Sequence, residues 1–237
     1  MKILVVLLMI VNLFAFNSIY IWSKEFNMVD NNSIVSFLKQ KNINIALVSA
    51  SKKTNFYKLY TFIDESKLKI EFLIGDNSWI YENKRDKISK KLKFLTQFDN
   101  FYIHLDVEPQ ALKDLKHNRI KYFNMYLNML KYIKNKFPKY HISISIAPFY
   151  STEYVKQFSK YVDKIYLMAY KYKKLSQLKK RIEKFSFLKS KLVIAFNCKD
   201  YTSKQKLLND IEFIKSLGYE NIAFHSFKTL KGLYEIK

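Results

Sequence analysis

The sequence has few of the residues that mark cofactor sites and covalent cross-links. Only three glycines occur in 237 residues, Gly75, Gly218 and Gly232, so no glycine-rich loop is present and dinucleotide binding is disfavoured. Cys198 is the single cysteine, which excludes an intramolecular disulfide and leaves packing as the source of stability. No histidine or carboxylate pattern has the spacing of a metal site. We therefore expect neither a cofactor nor a metal ion.

Acidic residues and arginine are also scarce relative to lysine. Lys and Arg total 42 against 20 Asp and Glu, a net charge of +22, and the only arginines are Arg85, Arg119 and Arg181. The lysines are spread over every predicted helix and no nucleic-acid-binding motif is present, so nucleic acid is not an expected partner. Two interpretations of the charge stay open: a lysine-rich coding bias, or an anionic partner such as an acidic polysaccharide or a cell envelope.

The apolar run at the start of the chain is too short to span a bilayer comfortably. Residues 1–15 carry one lysine, followed by an apolar stretch that ends in Ala15, which is the pattern of a secretory signal peptide. We predict a secreted or periplasmic protein with cleavage after Ala15. An uncleaved anchor is the alternative, and it would be the only contact with a membrane. Residues 18–237 are predicted to form one domain and to act as a monomer.

Short runs of β-favouring residues recur along the chain, each followed by an amphipathic stretch. Helical spacing places Ile88, Leu92 and Leu95 on one face, and Gly218 stands where a later helix would end. Strands that alternate with helices imply parallel pairing with right-handed crossovers, so eight such units predict an α/β fold, a single-domain (β/α)8 TIM barrel. The predicted strands are Ile19–Trp22, Ile45–Ser49, Leu68–Ile74, Phe101–Glu108, Ile142–Ala147, Lys164–Tyr170, Leu192–Asn197 and Asn221–His225.

The fourth predicted strand is the most informative segment. Its side chains alternate between apolar and polar, and successive side chains of a strand point to opposite faces. Pro109 cannot continue a ladder, so the strand is predicted to end at Glu108 and to leave that carboxylate at the rim of the barrel. The series expected to face the helices is Phe101, Ile103, Leu105 and Val107, and the inward series is Tyr102, His104, Asp106 and Glu108.

The carboxyl ends of the predicted strands gather a polar and aromatic set of side chains. Active sites of such barrels form at this rim, and Ser143 and Ser145 are small inward residues that leave room beside Asp106 and Glu108. His104, below Asp106, is expected to be a structural hydrogen-bonding partner. A half-buried strand with a solvated outer face is the plain alternative. The rim residues predicted to bind substrate are Trp22, Tyr150, Lys171, Asn197 and His225, with Ser49 and Asp76 beside them.

Two short motifs end the fourth and sixth predicted strands. The fourth ends in Asp-Val-Glu at 106–108, and the sixth in Met-Ala-Tyr at 168–170. In this strand order the motifs resemble the family 18 glycoside hydrolases, the chitinases and their relatives, within the superfamily of barrel-shaped glycoside hydrolases. The resemblance implies a TIM barrel that hydrolyses O-glycosidic bonds. It also implies that Glu108 donates the proton, that Asp106 orients a substrate acetamido group, and that Tyr170 hydrogen-bonds to that group.

The family pattern is incomplete in this chain. Two further aspartates of the fourth-strand signature fall on Phe101 and His104, and the aspartate after the sixth-strand tyrosine falls on Lys171. The aromatic residue expected on the eighth strand is replaced around 223–226. The sequence also resembles a less characterised group of exported barrels in the same superfamily, so the recognition of an N-acetyl sugar stays open.

The two carboxylates also support an interpretation from chemistry alone. A carboxylic acid kept neutral near the working pH can protonate a glycosidic oxygen, and Glu108 is the candidate. Asp106 lies about 6 to 7 Å earlier along an extended strand, and two close carboxylates resist joint ionisation, so one pKa should rise. Three functions are compatible with this pattern: an exported glycoside hydrolase acting on an envelope or extracellular polysaccharide, a non-catalytic carbohydrate-binding barrel, and a basic surface-binding protein.

Overall fold

The computed structural model describes residues 17–235. The predicted signal peptide at 1–15 and the last two positions of the predicted domain, 236 and 237, lie outside the described residues. The strands are β1 (Asn17–Ile21), β2 (Ile45–Ser49), β3 (Lys69–Ile74), β4 (Tyr102–Leu105), β5 (His141–Ile146), β6 (Lys164–Met168), β7 (Leu192–Asn197) and β8 (Ile222–His225). The helices are α1 (Ser23–Met28), α2 (Asn31–Gln40), α3 (Phe56–Ser66), α4 (Arg85–Leu95), α5 (Leu115–Lys136), α6 (Thr152–Phe158), α7 (Leu175–Glu183), α8 (Lys204–Ser216) and α9 (Phe227–Glu235).

Each strand pairs in parallel with the next along the chain, and β8 pairs with β1, so residues 17–235 form a closed barrel. At the point of closure, Ile19 lies opposite Phe224 on β8 and opposite Ala46 on β2. The predicted (β/α)8 fold and all eight predicted strands are thereby confirmed. The fourth and sixth strands are shorter than predicted, since they end at Leu105 and Met168. The ends of both motifs therefore lie in the loops that follow.

Alternate strand positions build two separate hydrophobic layers. The outer layer packs between the strands and the helices, and includes Ile103, Leu105 and Val107, all fully buried. This is the face that the alternation of the fourth strand predicted. The outer layer is the larger of the two, and because burial stabilises by about 25 cal/mol per Å² of apolar surface, it contributes most of the hydrophobic stabilisation. The inner layer consists of Tyr20, Ile45, Leu47, Leu73, Tyr166, Val193, Ala195 and Ala223.

Short polar residues set where the helices begin and end. The Ser203 side chain accepts a hydrogen bond from Lys206 N at 3.3 Å and caps α8, whereas Asn55 caps α3 by accepting from Lys58 N at 3.0 Å. Gly218 follows α8 with φ +86°, a left-handed conformation that suits glycine. Such caps satisfy the free backbone groups of the first and last turns.

The barrel interior contains a column of hydrogen-bonded polar side chains, which we name the polar column: Tyr20, Glu71, His104, Ser143 and Ser145. His104 Nδ1 lies 2.7 Å from Ser143 Oγ, and Nε2 lies 2.9 Å from Ser145 Oγ and 3.2 Å from the Tyr20 hydroxyl. Ser143 Oγ donates to Glu71 Oε2 at 2.7 Å. All five residues are at most 3% exposed, so these bonds supply the partners that buried polar groups require.

We expect His104 to stay neutral with its proton on Nδ1. Burial lowers the pKa of His104 from 6.5 to about 3, and Ser143 uses its single proton on Glu71, so Nδ1 donates to Ser143. Between these two pH values only the unfolded state binds the proton, so this residue lowers stability as the pH falls through that window. Two-bond ¹H–¹⁵N spectra should show one neutral tautomer from about pH 7 to 5. An imidazolium signal from His104 at pH 5 would contradict this expectation.

Candidate active site

The loop after β4 holds two carboxylates, Asp106 and Glu108, which we name the acid pair. Asp106 N donates to Ile74 O at 2.8 Å, which keeps the start of the loop in line with the end of β3. Glu108 N donates to Asn77 Oδ1 at 2.7 Å. Pro109 then begins a 3₁₀ turn, as the missing amide of proline permits. The backbone of the acid pair is therefore fixed by β3 and by the loop that follows β3.

Gly75 allows the ends of β3 and β4 to approach each other. A Cβ atom at this position would lie 2.0 Å from the carbonyl oxygen of Asp106 and 2.6 Å from its carbonyl carbon. Both are backbone atoms, so no side chain can move aside to make room. Sequence reasoning missed this role of Gly75, although a glycine at the end of a strand is a known mark of a close backbone approach.

The surroundings of the acid pair favour protonated carboxyl groups. Burial raises the pKa of Asp106. Burial, and then the charge of Asp106, raises the pKa of Glu108. Among the described residues, neither pKa is lowered by a hydrogen bond or by a nearby cation. Both pKa values are therefore shifted in the direction that a general acid needs, and burial contributes more to the shift of Glu108 than the repulsion that the sequence suggested.

We expect Asp106→Asn to stabilise the protein at neutral and alkaline pH. Because folding raises the pKa of Asp106, the folded state loses stability as the pH rises from the unfolded value, 3.8, through the raised folded value. The amide removes this cost, so Tm should rise by about 2 to 4 °C at pH 8 and stay unchanged at pH 3. Thermal unfolding at both pH values measures the effect, with the exposed Asp64→Asn as the control. An equal gain at both pH values would contradict it.

The rings of three predicted rim residues, Trp22, Tyr170 and His225, lie close together at the mouth of the barrel. The centroid of the His225 ring lies 5.9 Å from that of Tyr170 and 5.8 Å from that of Trp22. Burial, followed by the charges of the acid pair, raises the pKa of Tyr170, which indicates that its hydroxyl lies near both carboxylates. His225 Nδ1 is buried without a partner among residues 17–235. An unpaired buried nitrogen is unfavourable, and a substrate hydroxyl could bond to it only after the ring turned toward the mouth.

Two further predicted rim residues, Lys171 and Asn197, are joined by an aspartate. Asp200 accepts from Lys171 N at 2.9 Å and from Asn197 Nδ2 at 3.0 Å. Lys171 has φ 52°, in the left-handed region, and its side chain is exposed. Asp200 was missed by sequence reasoning because it follows β7 in a loop, where strand alternation no longer indicates direction. The arrangement places one exposed cation and one amide at the β6–β7 side of the mouth.

Tyr150 does not lie on the open rim, which corrects its predicted role as a substrate contact. It is fully buried, and its ring centroid lies 4.7 Å from that of Phe123. Its hydroxyl donates to Gln110 Oε1. Burial, followed by the charge of Glu108, raises the pKa of Tyr150, so this residue is a buried neighbour of Glu108. Its ring face has no free surface to offer a sugar.

A groove of about 1100 Å³ opens on the β1–β4 side of the mouth. Its base includes the end of β3 from Leu73 to Asp76, and its walls come from the loops after β1 and β2 and from α4. Trp22, Ser49 and Asp76, all predicted at the rim, line it. Of the acid pair, Asp106 lines the groove, whereas Glu108 is not among the described residues that do. A substrate in the groove would therefore meet Asp106 first.

The described residues give little support to other kinds of chemistry. Burial raises the pKa of the Cys198 thiol to about 12, so this cysteine is held protonated and is a poor nucleophile. Within residues 17–235, no group of three or more His, Cys, Asp or Glu side chains is arranged to hold a metal ion. In the same range, none of the helices combines the length and the apolar character that crossing a membrane requires.

Comparison with known proteins shows similarity in structure and none in sequence. No family model matches the chain, and neither does any curated protein. The β-mannanase of Thermomonospora fusca, solved with mannotriose, is similar with a TM-score of 0.67 and 11% identity, over 90% of this chain and 78% of that one. The glycoside hydrolase domain of PelA from Pseudomonas aeruginosa is similar with a TM-score of 0.61 and 8% identity, over 90% of this chain and 95% of that one.

A chitinase is also among the similar structures. A class V chitinase mutant from Cycas revoluta, solved with (GlcNAc)3, gives a TM-score of 0.55 and 11% identity, over 78% of this chain and 68% of that one. The resemblance to barrel-shaped glycoside hydrolases, including family 18, is thus confirmed at the level of the fold. The chain is a (β/α)8 barrel whose fold is similar to that of these glycoside hydrolases. At such low identity the likeness concerns the fold alone, so the function has to be argued from the site.

Proposed function

We propose that this protein is an exported glycoside hydrolase that cleaves O-glycosidic bonds in an envelope or extracellular polysaccharide. Glu108 is the proton donor, assisted by Asp106 and Tyr170. The observation that carries the proposal is the acid pair, two carboxyl groups with raised pKa values at the strand ends where barrel enzymes place their chemistry. The oligosaccharides bound in two of the similar structures, (GlcNAc)3 and mannotriose, support a carbohydrate substrate.

The first chemical event in this proposal is protonation of the glycosidic oxygen. Because the pKa of Glu108 is raised by burial and by Asp106, more molecules carry the proton at a given pH than with an exposed glutamate. As the bond between the anomeric carbon and this oxygen breaks, Glu108 gives its proton to the oxygen and becomes a carboxylate. Water then adds its hydroxyl to the anomeric carbon, and its other proton goes to Glu108, or to a second carboxylate where that group acts as the base.

The group that stabilises the anomeric carbon depends on the substrate. If the sugar has an acetamido group, the carbonyl oxygen of that group attacks the anomeric carbon, Asp106 orients the amide, and the Tyr170 hydroxyl hydrogen-bonds to it. This is the substrate-assisted route of some glycosidases. On a sugar without that group, a second carboxylate must act as nucleophile or base, and Asp106 is the candidate.

Residues on both sides of the acid pair are proposed to bind the polysaccharide. Trp22 offers a half-buried aromatic ring that can lie against the apolar face of a sugar. His225 is half-buried at the mouth, so the exposed part of its ring can contact a sugar bound there. Lys171 and Asn197 contribute a cation and an amide on the opposite side, where Asp200 holds them. The protein is proposed to act as a monomer.

Export is the second part of the proposal, and it rests on residues 1–15. Cell fractionation and the mass of the purified mature protein test it. A secreted or periplasmic protein that begins after Ala15 supports cleavage. A full-length protein in the membrane fraction supports the uncleaved anchor, and a full-length protein in the cytosol contradicts export.

A non-catalytic carbohydrate-binding barrel is the second candidate, and one observation favours it. The family 18 signature has further aspartates where this chain has Phe101 and His104, and His104 is buried among serine partners in the polar column. The acid pair therefore receives no support from a third carboxylate at these positions. Such a barrel would bind glycans saturably and release no product.

Product release separates these functions. The purified protein is incubated with chitin oligomers, peptidoglycan and acidic exopolysaccharides, and new reducing ends are measured beside binding. Product that disappears in Glu108→Gln supports the hydrolase. Saturable binding without product supports the binding barrel. Salt-sensitive binding to any anionic polymer that is unchanged in Glu108→Gln, again without product, supports a basic surface-binding protein.

A further inference from the structure

The groove beside the acid pair is rich in lysine. Six of its 19 lining residues are lysines, whereas lysine and arginine together make up 42 of the 237 residues of the chain. Two acidic residues, Asp76 and Asp106, also line it. The groove is therefore more cationic than the already basic chain. Its lysines are Lys24, Lys52, Lys53, Lys87, Lys90 and Lys91.

These lysines come from three separate parts of the chain that the barrel brings to one side of its mouth. Lys24 belongs to α1, Lys52 and Lys53 to the loop after β2, and the remaining three to α4. The α4 lysines occur at 87, 90 and 91, a spacing that places them on one face of the helix. The cluster is thus a product of the fold, because three segments that are distant in the sequence supply its lysines.

The groove lysines have little compensation from carboxylates of the protein, although the charge of Lys87 contributes to the lowered pKa of Asp76. None of the six forms an ion pair within the described residues. Lys91 Nζ lies 5.2 Å from the ring centroid of Phe56 and 5.3 Å from that of Phe94, and burial lowers the pKa of Lys91. An anionic ligand in the groove would bring negative charges to lysines that form no ion pair among the described residues.

The groove also carries surfaces that suit sugar rings. Phe94 is 42% exposed and Trp22 is half-buried, so both can offer ring faces to a ligand. Ser23 Oγ lies 2.8 Å from the hydroxyl oxygens of Ser49 and Ser51, and all three serines line the groove. Hydroxyl groups and ammonium groups among aromatic rings form a lining for a ligand that has apolar faces, polar edges and negative charge.

We propose that the groove binds an anionic polysaccharide, one with carboxylate or sulfate groups along its chain, and delivers it to the acid pair. This inference rests on the proposed hydrolase, since it treats the groove as the site that holds the polymer to be cleaved. Repeated single charges on a sugar chain suit lysines, which act as point charges. None of the described lining residues is an arginine, the residue that best forms bidentate contacts with the phosphates of nucleic acid.

Two triple variants with the same change in charge test the inference. One is Lys52→Gln with Lys87→Gln and Lys90→Gln, three exposed lysines that line the groove. The matched control is Lys39→Gln with Lys160→Gln and Lys228→Gln, three exposed lysines that do not line it. Binding is measured by calorimetry with a galacturonate hexamer, with neutral hexamers of mannose and N-acetylglucosamine, and with a sulfated hexasaccharide. The two anionic probes show whether carboxylate or sulfate is preferred.

We expect the groove triple to weaken galacturonate or sulfated hexasaccharide binding by about tenfold or more, and the control triple to weaken it by less than about twofold. Neutral hexamers should bind both triples like the wild type. Added salt should weaken anionic binding to the wild type more than to the groove triple. Three results would overturn the inference. The two triples could lose equal affinity for the anionic hexamers, the wild type could bind neutral hexamers more tightly than anionic ones, or it could bind single-stranded DNA as tightly as the anionic hexamers.

The same variants separate this inference from the proposed hydrolase. If anionic hexamers bind as expected but no polymer is cleaved, the groove stands as an anionic glycan site and the hydrolase fails. Suppose instead that the wild type and the groove triple cleave a neutral polymer equally well, that this cleavage requires Glu108, and that the wild type does not prefer anionic glycans. The hydrolase then stands and the groove inference fails.

Discussion

Glu108→Gln should lower kcat on a cleaved polysaccharide by about 10²- to 10⁴-fold and leave substrate binding nearly unchanged. The amide has the shape of the carboxyl group, and the backbone contact from Glu108 N to Asn77 Oδ1 does not involve the side chain, so the loop should keep its place. The amide cannot give a proton to the glycosidic oxygen. Steady-state kinetics and a binding measurement on the same substrate test both parts of this expectation.

Glu212→Gln is the matched control for this substitution. Glu212 lies on α8 and is exposed, so the same change in charge should leave kcat within about twofold of the wild-type value, as is usual for surface positions. A Glu108→Gln protein with wild-type kcat would remove Glu108 from the mechanism. A loss of binding with little change in kcat would show that Glu108 binds substrate rather than donating a proton.

The activity of the wild type should depend on pH as expected for an enzyme that requires a protonated acid. Since the raised pKa of Glu108 depends on burial and on Asp106, kcat/KM should fall as the pH rises through that value. In Asp106→Asn the repulsion is removed, so the residual activity should fall at lower pH than in the wild type. A profile that moves to higher pH in this variant would contradict the electrostatic coupling of the acid pair.

Gly75→Ala should destabilise the protein by about 2 to 4 kcal/mol and lower activity by at least about tenfold. Its Cβ would lie 2.0 Å from the carbonyl oxygen of Asp106, so the ends of β3 and β4 would have to separate. The hydrogen bond from Asp106 N to Ile74 O joins these ends, and a shift of about 1 Å at a reacting group can cost about 10²-fold in rate. Denaturant unfolding and kinetics on the same preparation measure the two effects.

Gly232→Ala makes the same chemical change where space is available. A Cβ at Gly232 would meet nothing within 4 Å, and the residue lies within α9, where alanine is favoured over glycine by about 0.5 to 1 kcal/mol. We therefore expect a small gain in stability and unchanged activity. Equal effects of the two substitutions would contradict the close approach of β3 and β4 at Gly75.

The fold could be predicted from the sequence because the pattern of apolar residues that indicates it is local and repeats along the chain. Alternation along the fourth strand separates Ile103 and Leu105 from His104 with a period of two, and the structure buries the first two against helices and His104 inside the barrel. Each strand with its following helix repeats this pattern, so an error in one unit would not have changed the architecture. The strand ends were less accurate, since β4 stops at Leu105.

Much of the candidate site depends on contacts between distant parts of the chain, and these have no local signal. Asn77 holds Glu108 N from 31 positions earlier in the sequence, and Asp200 joins Lys171 to Asn197 across two loops. Tyr150 was placed on the rim because it follows β5 closely, but the loop after a strand does not preserve the direction of alternation. Its ring turns instead into the outer hydrophobic layer.

A crystal structure of Glu108→Gln with an uncleaved oligosaccharide tests the central claim most directly, because it shows which group faces the scissile bond. We expect the sugar chain to cross the mouth of the barrel, with the position-108 side chain within about 2.6 to 3.2 Å of a glycosidic oxygen and Asp106 on the side of the anomeric carbon. A sugar chain bound away from the mouth, or a position-108 side chain directed away from it, would contradict the assignment of Glu108 as the proton donor.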